Sequence, residues 1–142
     1  MKLQAVHEAI DARMQDRPAL MTALGSIDAI YAIDAPGEDA TDTAVVVNID
    51  IVGDNDTSDE DIDRLLVTFS VRVPRSDPYK LYTILDELKS AFHRYDLALS
   101  GAAASTHRTF GMRRRSGQRV AVEDPKRHVA YEMVYSLEIN TL

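Results

Sequence analysis

The 142-residue chain has no cysteine, which removes thiol nucleophiles, thiolate zinc sites and redox switches from the chemistries open to it. It has no apolar run near the roughly 20 residues that a membrane helix needs. Residues 1–10 hold one Lys and no continuous apolar stretch of the kind a signal peptide carries. A chain made in the cytosol, with no membrane partner, is the expectation. Its glycines form no phosphate-binding loop: Gly101 stands among alanines, and Gly111 and Gly117 flank arginines. His7, His93, His107 and His128 show no i,i+4 pair and no adjacent carboxylate motif, so neither a zincin helix nor a catalytic triad can be argued. No metal site, cofactor or catalytic residue is expected.

Lys and Arg are missing altogether between Pro18 and Asp63, a stretch with twelve acidic residues. His107 to Arg127 has the reverse bias: seven basic residues stand against Glu123 and Asp124. The total of −7 hides two poles, and a subunit so built suits head-to-tail packing in which one acidic face meets the next basic face. The acidic run Asp54 to Asp61 is not a calcium loop. Asp59 occupies the position where an EF-hand needs glycine, and the twelfth position is Leu65. Arg113-Arg114-Arg115 with Arg119 could bind phosphates, hook onto a neighbour's acidic surface, or form a solvated tip. The cluster has no interleaved aromatics for stacking on single strands.

The remaining composition, 45% hydrophobic and 27% charged, fits one globular domain over 1–142 able to bury a core without staples. Leu3, Val6, Ile10 and Met14 predict an amphipathic helix over about Lys2 to Gln15. Pro18 suits the first turn of a second short helix, with Gly25 as its C-cap. Ile27, Ala29, Tyr31 and Ile33 alternate as a first strand. Ala44 to Val52 and Arg64 to Val73 read as a hairpin joined by an acidic loop, Gly53 to Asp63. Asp77 or Ser76 can cap a helix over about Pro78 to Tyr95. Two further strands follow, one carrying Thr106, Arg108, Phe110 and Met112 and one spanning His128 to Asn140, with Arg113 to Arg127 as a long tip between them. The order α-α-β-β-β-α-β-β predicts an α+β fold: a mainly antiparallel sheet of four to five strands with helices on one face. The other face carries Asp50, Arg72, Glu132 and Glu138.

The opening helix Leu3-Gln4-Ala5-Val6-His7-Glu8-Ala9-Ile10, the segment Pro18 to Gly25 running into the strand at Ile27, the strand Val67-Thr68-Phe69-Ser70-Val71 before a helix, and the closing strand Ala130 to Leu137 together resemble the tail terminator (tail completion, minor tail) proteins of long-tailed bacteriophages and phage-like particles. The resemblance implies a non-enzymatic virion protein, assembled in the host cytoplasm. It would form a ring, commonly a hexamer, at the head-proximal end of the tail tube, stopping tube growth and meeting the head connector. A head–tail connector (neck) subunit, a tail-tube subunit and a cellular adaptor of similar fold are the alternatives. In such a ring Arg113, Arg114, Arg115 and Arg119 are expected to contact a neighbour's Asp39, Asp42, Asp54, Asp56, Asp59, Glu60 and Asp61. Asp50, Glu132 and Glu138 are expected to face a lumen through which DNA passes without specific binding.

Overall fold

The computed structural model describes residues 2–32, 42–57, 60–122 and 124–141, and the side chains of 3–32, 42–51, 64–122 and 124–141. Helix α1 (Lys2–Gln15) buries Val6, Ala9, Ile10 and Met14 along one stripe. Helix α2 (Pro18–Leu24) has Pro18 at its first turn. It ends at Gly25, whose φ of 84° only glycine adopts at little cost and whose N–H bonds the Met21 carbonyl at 2.9 Å. A 3₁₀ turn (Ile27–Ala29) comes next, and strand β1 (Ile30–Ala32) is three residues long. The expected strand from Ile27 is therefore shortened: Ser26 Oγ accepts from the Asp28 amide at 3.1 Å, and that local cap outweighs a four-residue alternation. Its expected end, Ile33, lies outside the described residues.

Strands β2 (Ala44–Thr57) and β3 (Glu60–Pro74) form a long antiparallel hairpin. The expected acidic loop is a correction. Pairing continues from Gly53 opposite Arg64 to Thr57 opposite Glu60, which leaves only residues 58–59 between the strands. Helix α3 (Tyr79–Phe92) buries Leu81, Ile84, Leu88, Ala91 and Phe92. Neither Ser76 nor Asp77 caps it: the Asp77 amide is used in a turn to Pro74, and Pro78, with no N–H to satisfy, sits at the cap. Arg94, at φ 60°, bends the chain so that its N–H meets the Met112 carbonyl, which ends the helix before Tyr95. A four-residue helix, α4 (Ala103–Thr106), takes up the expected strand's first residue. Strand β4 (His107–Val120) and strand β5 (His128–Thr141) complete the sheet. The arginine segment is thus mostly strand and not a tip: β5 is alternately apolar over its whole length, and β4 pairs with it as far as Val120 opposite Ala130.

The sheet order is β1-β2-β3-β5-β4, with β1 parallel to β2 and every other pair antiparallel. This is the expected α+β architecture with helices on one face. Val45 and Val47 of β2, the set Leu65 to Val73 of β3, Met112 of β4, and Met133, Tyr135, Leu137 and Ile139 of β5 join the helices in one core. Phe92 stacks on Phe69 with ring centroids 5.0 Å apart, and Tyr135 meets Phe69 edge-on at 5.7 Å. Outside the apolar layer, Arg13 donates to the Ala91 carbonyl and lies 4.0 Å over the Tyr95 ring, while Arg17 bonds Ser90 and pairs with Glu87.

Tyr135 is fully buried, yet among the described residues its hydroxyl has no hydrogen-bond partner, and an unsatisfied buried hydroxyl costs about 1–3 kcal/mol. Tyr135→Phe keeps the ring packing and removes that cost. Chemical denaturation is expected to show an unchanged or higher stability, by about 1 kcal/mol; a clear loss would mean that the hydroxyl is satisfied.

Candidate functional site: two charged surfaces of the sheet

Residues directly opposed in an antiparallel pair share a face of the sheet. Arg113 opposes Ser136, Phe110 opposes Glu138, and Gln118 opposes Glu132, so these stand on the face that no helix covers. Arg114 opposes Tyr135, Gly117 opposes Met133, and Arg119 opposes Tyr131, so these stand on the helix side. Two register shifts, at Phe110/Arg113 and Arg114/Ser116, set this division. The arginine cluster, one unit in the sequence, is thereby split between two surfaces.

On the open face, Arg64, Phe110, Arg113, Arg115, Ser136 and Glu138 line a hollow of about 430 Å³. Arg64 lies 3.7 Å from Glu138, both about half exposed, an arrangement that contributes below about 1 kcal/mol. Asp50, opposite Leu66, belongs to the same face, as do Glu132, opposite Ser70, and Arg72. The three acids expected to face a lumen do share one surface, but Arg113 and Arg115 share it with them.

On the helix side, two adjoining hollows of about 270 and 220 Å³ run between α3 and β4 and meet at Tyr82 and Tyr131. Arg75 and Arg119 border one, Lys89 and Arg114 the other, over a floor of Leu81, Leu85, Val129 and Met133. Among the described residues Asp86 is the one acid in the lining. Gly117 makes room for this cleft: a Cβ there would sit 2.6 Å from Arg114 Nη2 and 2.8 Å from the Tyr131 hydroxyl oxygen. Burial raises the Tyr135 phenol beneath above its ordinary value, while the charge of Arg114 opposes that shift. The sequence reading missed Tyr82, Lys89 and Arg75 as partners of Arg114 and Arg119. The available signal was Tyr79 and Tyr82, one turn apart and off the apolar stripe of α3; both are well exposed, and their rings are 6.4 Å apart.

Of the acids expected to meet a neighbour, Asp42 is engaged within the chain: Arg127 Nη2 donates to its Oδ1 at 2.7 Å, and His128 Nε2 lies 3.2 Å away. Asp54, Asp56, Glu60 and Asp61 are strand positions of the hairpin, and Asp39 and Asp59 lie outside the described residues. Among the described residues no three metal-binding side chains come together, and no helix is long and apolar enough to cross a membrane.

No family model and no curated protein matches the chain. Its fold matches a solved chain from the virion of a native gene transfer agent particle, with a TM-score of 0.75 at 17% identity, covering 92% of this chain and 91% of that one. A second solved protein matches with a TM-score of 0.53 at 12% identity, over 96% and 95% of the two chains. The shared property is the fold over nearly the full length.

The hydrogen bonds from His128 and Arg127 hold the Asp42 carboxyl below its ordinary value of 3.8. A depressed carboxyl contributes stability above its unfolded pKa and loses it as the pH falls through the folded one. Asp42→Asn is expected to lower the melting temperature at pH 7, with the gap to the parent protein closing below about pH 4. A gap that is the same at pH 7 and pH 3 would exclude an ionic contribution.

Proposed function

We propose that this chain is a structural protein of a phage-like particle that forms a ring at the head-proximal end of the tail tube and stops its polymerisation, with no covalent chemistry. The observation that carries the reading is the match of fold, over nearly all of both chains, with a chain of a gene transfer agent virion. The sequence resemblance to tail terminators points the same way independently. The chain's surfaces suit such a role: basic groups border the cleft between α3 and β4, and acidic positions gather on the far part of the β2–β3 hairpin.

A ring terminates a tube when one surface matches the tube subunit and the other does not, because stacking continues only while each added layer presents the same complementary surface. In this reading the head-to-tail contact within the ring, commonly a hexamer in the family it resembles, joins the basic β4 region of one copy to acidic residues of the next. The open sheet face with Asp50, Glu132 and Glu138 lines the channel. The acids interleaved with Arg64, Arg113 and Arg115 keep a passing duplex weakly held, since a wall of unopposed arginines would retain a polyanion.

Purified protein added to polymerising tail-tube subunits is expected to shorten the tubes and to sit at one end in electron micrographs. Tubes of unchanged length, or decorated along their sides, favour a neck subunit or an adaptor instead. Duplex DNA is expected to bind weakly at physiological salt in a filter assay; tight binding that Arg113→Glu with Arg115→Glu abolishes would overturn the lumen assignment.

A further inference from the structure

We propose that the cleft between α3 and β4 receives the acidic β2–β3 arm of a second copy of this chain, and that this is the contact which closes the ring. The inference rests on the ring reading above and assigns its interface.

The arm is the part of the hairpin beyond Ile51 and Leu65. Ile51, though on the helix side, is 49% exposed, so the hairpin has left the core there. The five residue pairs from Gly53 opposite Arg64 to Thr57 opposite Glu60 make a ribbon about 15 Å long. Its sequence carries Asp54, Asp56, Asp59, Glu60, Asp61 and Asp63 against Arg64 alone. The register sets Asp54 against Asp63 and Asp56 against Asp61. Like charges at directly opposed positions destabilise a hairpin, and a cationic partner relieves that cost.

The cleft supplies such a partner. Arg75, Lys89, Arg114 and Arg119 border it, and among the described residues Asp86 is the only acid in its lining. The exposed Tyr82 ring, with Tyr131, gives it apolar walls, so ion pairs formed there are less screened than pairs on an open surface. The open-face arginines are poorer candidates, because Asp50, Glu132 and Glu138 already stand among them.

A chain cannot fill its own cleft. Ile62 of the arm pairs with Asn140, whereas Arg119, at the cleft, pairs with Tyr131. Nine residues of β5 separate the two levels, about 30 Å along the strand. Arm and cleft lie at opposite ends of one sheet, so the contact is head-to-tail, the kind that yields a closed ring when its rotation closes.

The test is the mass of the assembly by light scattering at rising concentration, with folding of each variant checked by circular dichroism. Arg114→Gln with Arg119→Gln is expected to weaken association at least tenfold, as is Asp54→Asn with Asp56→Asn. Arg113→Gln with Arg115→Gln should change it less than twofold. The first two variants, each weakened in self-association, should form a one-to-one complex when mixed, because one intact arm and one intact cleft remain. Gly117→Ala, which keeps every charge but displaces Arg114 and Tyr131, should also weaken assembly. Rings that survive the cleft and arm substitutions overturn this interface while leaving the ring reading intact. A parent chain that stays monomeric even with tube subunits present overturns both.

Discussion

Phe92 of α3 stacks on Phe69 of β3, with Tyr135 edge-on beside it, and that contact determines which side of the sheet is inside. β3 sits at the centre of the five strands, so its parity sets that of its neighbours: once Phe69 faces the helix, Val47 and Met133 must do so too. A slip of one residue would turn Val67, Val71 and Leu65 to the open face together and bring Arg64, Ser70 and Arg72 under the helix, which no compensating contact could offset. The division of the arginines follows from the same constraint, because β4 takes its register from β5 and β5 takes its own from β3.

Where the chain is locally periodic, the sequence was enough. The stripe of α3, the Pro18 start and Gly25 end of α2, and the alternation of β3 and β5 each state one answer through side-chain spacing. The failures have a common cause. Asp, Asn and Gly in 53–57, and the arginines and Gly117 of β4, have low or neutral strand preference, so composition reads them as loops. They are strands because of partners distant in sequence: β5 holds β4 along 11 paired positions of its register. At Ile27 the imbalance ran the other way, and a serine cap one residue upstream prevailed over a short apolar alternation.

The candidate surfaces were legible only as composition. Adjacent arginines on a strand must alternate between faces, so Arg113 and Arg114 had to part. Which of them would face the helix was not readable, because two register shifts intervene between Phe110 and Ser116. The cleft needed, in addition, an absence of side chain at Gly117, and its other wall comes from α3, some thirty residues earlier in the chain. The separation of acidic and basic segments, by contrast, was plain in the sequence and has a geometric counterpart, with the acidic arm at one end of the sheet and the basic cleft at the other.

That counterpart has a physical use. Exposed ion pairs each contribute below about 1 kcal/mol, so a contact built on them is weak unless several form at once, and several form at once only if the groups are held in advance on a stiff frame. The continuous ladder from β2 to β4 is that frame: it fixes the spacing and direction between arm and cleft, so in the proposed contact a subunit seated at one end would present its other end in a defined orientation. Repeated from copy to copy, a fixed orientation gives a fixed turn, and a fixed turn gives one ring size where a flexible linkage would give a spread of open chains. In the proposed ring the open face of the sheet would take no part in this contact and would stay free for what passes through, so that the parity that buries Phe69 would serve assembly on one side and passage on the other.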